Sequence, residues 1–147
     1  MKQLALMVVT AGLLIAADAP DEDKAKADLK KFEGTWVLVK GEQEGKPIPE
    51  DVLKDAKLVI AGNVHTVKVG EDTFKGTHKV DPTKKPRQID ATDTEGRFKD
   101  KTILGIYKIK GYQFTVCFAP PDKDRPKEFT TKSGTGHILH VWKRAKE

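Results

Sequence analysis

The residues in this 147-residue chain with types suited to chemistry are four histidines, one cysteine, one serine and close pairs of aspartates. His137 and His140 are three apart in a strand-like segment, so they point to opposite faces and cannot share a ligand. His65 and His78 fall on neighbouring strand segments and are the better pair. Two imidazoles can hold a polar ligand group, but a metal site needs three or four ligands. No third ligand follows from the sequence, so a hydrogen-bonded pair without metal is expected. Cys117 has no base or cation nearby in sequence to lower its pKa, and is expected as a small buried hydrophobe, on the outer face of its strand or under a neighbouring loop. General acid–base work requires two carboxyls in unequal environments. Asp90 with Asp93, and Asp122 with Asp124, lie in polar stretches and are expected to stay ionised and solvated. Ser133, between Lys132 and Gly134, lacks the Gly-x-Ser-x-Gly setting of a nucleophile elbow. Neither an enzyme nor a cofactor is expected.

The elements that position these residues are short β runs separated by Gly, Asn, Asp and Pro. Gly62-Asn63 suits a two-residue turn with glycine first, pairing Ile60 with His65 and Leu58 with Val67. A four-residue turn over Gly70–Thr73 would then pair Val69 with Phe74 and set His65 opposite His78, Cβ atoms ~4.5–5.5 Å apart. Lys110-Gly111 as the next turn matches Ile109 with Tyr112, Tyr107 with Phe114, Gly105 with Val116 and Ile103 with Phe118. One face of that hairpin is apolar and aromatic along its length. Tyr107, Tyr112, Phe114 and Phe118, with Trp36 at one end and His65 and His78 beside them, therefore line an apolar cup or fill it.

Eight strands are expected: Thr35–Lys40, Lys57–Ala61, Val64–Val69, Thr73–Val80, Gln88–Asp93, Thr102–Ile109, Tyr112–Phe118 and His137–Lys143. Too little helix is available to cover such a sheet, so closure into an antiparallel up-and-down barrel is the favoured fold, mostly β. Phe129–Thr131 is a candidate ninth strand within the long connection Ala119–Gly136. Ala25, Leu29 and Phe32 recur at helical spacing, predicting a short N-terminal helix over Asp21–Phe32. One or two helical turns are expected over Pro49–Ala56.

Residues 1–17 have the parts of a secretory signal peptide: Lys2, an apolar run from Leu4 to Ile15, then Ala16 and Ala17. The run is shorter than the ~20 residues that span a bilayer, so no stable membrane anchor is expected after cleavage. Residues 18–31 form a helical lead-in and 32–147 the barrel domain, secreted or periplasmic. Of 27 basic residues cleavage removes Lys2 and no acidic one of 22, leaving a net charge of +4. Signs are well mixed, which argues against nucleic acid as a partner.

Gly34-Thr35-Trp36 at the start of the first strand resembles the Gly-x-Trp signature of the lipocalin superfamily. The resemblance implies that Trp36 closes one barrel end beside a basic residue of the last strand, Lys143 or Arg144. Gly45-Lys46-Pro47-Ile48-Pro49, Asp81–Pro86, Ile89-Asp90, Gly105-Ile106-Tyr107, Cys117, Arg125-Pro126 and Gly134-x-Gly136 extend the match. Together they resemble an uncharacterised lipocalin-like domain family abundant in planctomycete bacteria, over about Phe32 to Arg144. The family has no assigned activity, so it implies fold and lineage only. The functional expectation is a non-enzymatic binding protein for a small apolar or amphipathic ligand. The alternative is a protein-interaction module whose barrel is filled and whose loops Glu42–Pro49 and Pro120–Gly136 meet a protein partner.

Overall fold

The computed structural model describes residues 20–146, so the expected signal peptide at 1–17 lies outside the described residues. In chain order the elements are α1 (Pro20–Phe32), β1 (Gly34–Gln43), β2 (Lys46–Pro47), α2 (Glu50–Lys54), β3 (Ala56–Ala61) and β4 (Val64–Val69). There follow β5 (Asp72–Asp81), β6 (Arg87–Glu95), β7 (Thr102–Lys110), β8 (Gln113–Phe118) and β9 (Ile138–Arg144). Strands β3 to β9 pair antiparallel in sequence order, β1 pairs with β3, and β9 returns to β1. The result is a closed barrel of eight strands, mostly β, with β2 as a two-residue ladder folded back on β1. Closure leaves no long unpaired edge to recruit another chain.

The first hairpin has the expected register, with Ile60 opposite His65 and Leu58 opposite Val67. The next two differ from expectation by two residues each. Val69 pairs with Asp72 across a two-residue turn at Gly70-Glu71, and Lys110 pairs with Gln113 across Gly111-Tyr112. The physical reason is the same in both. Gly70 and Gly111, like Gly62, take positive φ near 60° as the first central residue of their turns. A two-residue shift keeps every side chain on its face, so the inward set is unchanged. Tyr112 is the casualty: it sits in the turn, 74% exposed, and is not a lumen residue. Phe129–Thr131 forms no strand; Thr131 instead donates its hydroxyl to Glu42 (2.6 Å) and accepts from the Gly45 N–H (3.2 Å).

Acidic residues in the first turn and Lys30 and Lys31 in the last suit the dipole of α1. Its apolar stripe packs onto the barrel, and Phe32 meets Tyr107 and Phe114 edge-on, both at 5.1 Å between ring centroids. Trp36 is fully buried, its indole N–H donating to the Phe32 carbonyl at 2.7 Å. The Arg144 guanidinium lies over that indole, 4.3 Å from the ring centroid. Of the two basic candidates it is therefore Arg144 that stacks. Its two Nη groups also donate to the carbonyls of Glu33 (2.6 Å) and Lys31 (2.8 Å), satisfying acceptors left free at the end of α1. One arginine thus ties the last strand, the first strand and the helix together.

Gly34 makes this possible. It has φ +125°, and a Cβ there would lie 2.8 Å from an Arg144 Nη. Gly62 shares the positive φ, but its Cβ would meet nothing within 4 Å among the described residues. Gly34→Ala should therefore lower stability by about 2–3 kcal/mol, and Gly62→Ala by about 1 kcal/mol. Urea unfolding of the two variants checks the order; equal losses would show that Arg144 moves aside without cost.

Candidate functional site

Helix α1 closes the end of the barrel where β1 begins and β9 finishes, since Arg144 and Trp36 both reach it. Within the barrel lies a cavity of about 290 Å³. Its wall is largely apolar, with Leu58, Ile60, Val67 and Val116 among the aliphatics and Phe74, Phe98, Phe114 and Phe118 among the aromatics. Phe98 comes from the loop joining β6 to β7, at the end away from α1. Four polar side chains share this wall: His65, His78, His140 and Asp93. The barrel is therefore not filled by its own side chains.

Of the residues expected in the lumen, His65, His78, Phe114 and Phe118 line the cavity. Trp36 and Tyr107 do not. Both are buried in the floor with α1, where the Tyr107 hydroxyl donates to Asp28 at 2.7 Å. Two polar wall residues do not follow from the sequence reading. His140 alternates with Ile138 and Trp142, and Asp93 with Ile89 and Ala91, and all six face inward. Period-two alternation carries this signal in both strands. Asp93 is thus not a solvated loop carboxylate, its side chain being 15% exposed. Asp90 is not simply solvated either. It accepts from Arg125 at 2.6 Å, while the other Arg125 nitrogen donates to the carbonyls of Ile89 and Gly105.

The polar groups form a chain. His65 and His78 approach through their Nδ1 atoms at 3.1 Å, and the His65 Nε2 lies 3.5 Å from an Asp93 carboxylate oxygen. The register explains the reach. His65 stands opposite Gly76 on β5, and Gly76 stands opposite Asp93 on β6. A Cβ on Gly76 would lie 2.8 Å from the His65 Nε2, so the missing side chain lets the imidazole cross to the third strand. His78 is the diagonal neighbour of His65, not the direct partner expected from the four-residue turn.

Burial governs the charge of these groups. It pushes His78 down to about 4, helped by the neighbouring His65, and takes His140 to about 4 as well. His65 is also lowered by burial, against the opposing pull of Asp93. At neutral pH the wall holds three uncharged imidazoles beside one carboxylic side chain. Among the described residues, no three His, Cys, Asp or Glu side chains are placed to hold a metal ion.

Cys117 lies on the outer face of β8, fully buried with Ile106, Leu139 and Phe129 beneath the long connection to β9. Its thiol points at the Thr130 carbonyl at 3.5 Å, and burial pushes its pKa up. That is the environment of an inert thiol, placed under a loop as expected. Comparison of the chain with protein-family models, curated proteins and solved structures gives no match, so the site rests on its own geometry.

Proposed function

We propose that this protein is exported and that its lipocalin-like barrel binds a small apolar or amphipathic ligand, without catalysing a reaction on it. The apolar cavity with a few converging polar groups is the observation that carries this reading. Its volume of about 290 Å³ is roughly twice that of a ~150 Å³ apolar cavity able to take benzene. A ligand of one or two small rings, or a short branched chain, fits that space. Leaving it empty would cost the wall its dispersion partners on one side. The N-terminal sequence of residues 1–17 supports export. Partner binding through the loops, with a filled barrel, has less support because the cavity remains.

Native mass spectrometry of the mature protein from an exporting host, paired with titration of the fluorescent probe N-phenyl-1-naphthylamine, tests the reading. An added mass or saturable probe binding is expected, and Val67→Trp, which fills part of the cavity, should abolish both. A bare mass together with no probe uptake would overturn it.

A further inference from the structure

The cavity wall is nearly all apolar, and it carries no lysine or arginine among its described residues. An anionic head would have no counter-ion there and would face Asp93 as well. What the wall offers is a directed proton order. A carboxylate can only accept, so the His65 nitrogen facing Asp93 must carry the proton. The Nδ1 of a neutral His65 is then a bare acceptor. His78 Nδ1, 3.1 Å away, must therefore be the donor of that hydrogen bond. The remaining nitrogen of a neutral His78 is thereby left with a lone pair. That nitrogen, Nε2, is buried and meets no hydrogen-bond partner among the described residues. The opposite proton order would aim a bare His65 nitrogen at the carboxylate, lone pair against charge.

A buried acceptor without a partner is costly, and natural proteins rarely keep one unless something fills it. We propose that the ligand presents a hydrogen-bond donor, a hydroxyl or an amine on an apolar body, to His78 Nε2, and that Asp93 acting through His65 holds His78 in the accepting form. The proposal rests on the ligand-binding reading above and narrows it to a class. His78 is the binding residue; His65 and Asp93 position its proton.

Calorimetric titration of the full mature protein with matched naphthalenes tests this. 1-Naphthol and 1-naphthylmethylamine carry donors, one neutral and one cationic; 1-methoxynaphthalene and naphthalene carry none; 1-naphthoate carries an anion. At least one donor-bearing probe should bind about tenfold tighter than naphthalene and 1-methoxynaphthalene, and naphthoate weakest of all. Whichever donor wins separates an alcohol-type from an amine-type ligand. Asp93→Asn frees the His65 tautomer, because an amide can present either its oxygen or its nitrogen. It should shrink the naphthol-to-methoxynaphthalene preference to about twofold or less, with naphthalene affinity kept. His78→Phe should remove the preference outright; if that variant does not fold, Asp93→Asn decides alone. Binding of both donor-bearing probes no tighter than naphthalene and 1-methoxynaphthalene, or an unchanged preference in Asp93→Asn, would overturn the proposal and leave the cavity reading standing. Failure of every probe to bind would bring down both.

Discussion

Lowering the pH from 6.5 to 4 should strip this protein of several kcal/mol of folding stability. His78 and His140 are held neutral in the folded state, with pKa values of about 4 against an ordinary value of 6.5. Between those two values the unfolded chain binds more protons than the folded one, so stability falls as pH falls. The contribution is complete above about pH 6.5 and fully lost near pH 4, on the order of 3 kcal/mol for each histidine. His65 is shifted in the same direction, and its attraction to Asp93 partly offsets that shift. Against the 5–15 kcal/mol of a typical domain, two such groups decide whether the barrel stays folded in acid. The urea midpoint should hold steady from pH 8 to 7 and drop steeply below 6. His140→Leu should remove nearly half of that drop. A midpoint at pH 4.5 equal to that at pH 7.5 would show that the imidazoles reach water without unfolding.

How much of this could be read from the residues alone depends on what a two-residue error does. The pairings expected beyond Gly70 and Gly111 differ from those observed by two residues, yet the face of each strand is right, because strand periodicity is itself two. Only residues at the turns suffer from such an error, and Tyr112 is the example. Asp93 was hidden for a different reason. Its neighbours Asp90, Thr92 and Thr94 make the segment look like a solvated loop, and nothing local shows that Gly76 clears a path to it. His140 was legible as an alternating residue, but only a closed barrel turns its face into the wall of a cavity. Asp28 was the least legible. It shares a helical stripe with Ala25, Leu29 and Phe32, yet in sequence it is one charge among many. The partners that explain its burial, Arg87 and Tyr107, are 59 and 79 residues away.

That buried carboxylate makes Asp28→Ala the most damaging single change expected in the floor of the barrel. Asp28 is 4% exposed and accepts from the Tyr107 hydroxyl at 2.7 Å, Arg87 at 3.1 Å and Lys31 at 3.2 Å. Alanine would strand the Tyr107 hydroxyl in a site that burial and the carboxylate have already made hostile to its ionisation. Arg87 is partly exposed and can rehydrate, so its loss is the smaller part. Together the changes should cost about 2–4 kcal/mol, less than removing one partner of a fully buried ion pair would. Asp28→Asn keeps an acceptor for the tyrosine and should cost about half as much. Tyr107→Phe leaves the carboxylate with its two cations and should cost about 1 kcal/mol. The effect should also be local, because α1 is held to the barrel by this carboxylate, by Phe32 and by Arg144. Amide exchange along α1 should therefore accelerate in Asp28→Ala more than exchange in β7 and β8. Uniform acceleration would mean that the helix opens only with the whole barrel. In that case the floor is part of one cooperative core, and the proposed ligand would have to enter and leave by the end that carries Phe98.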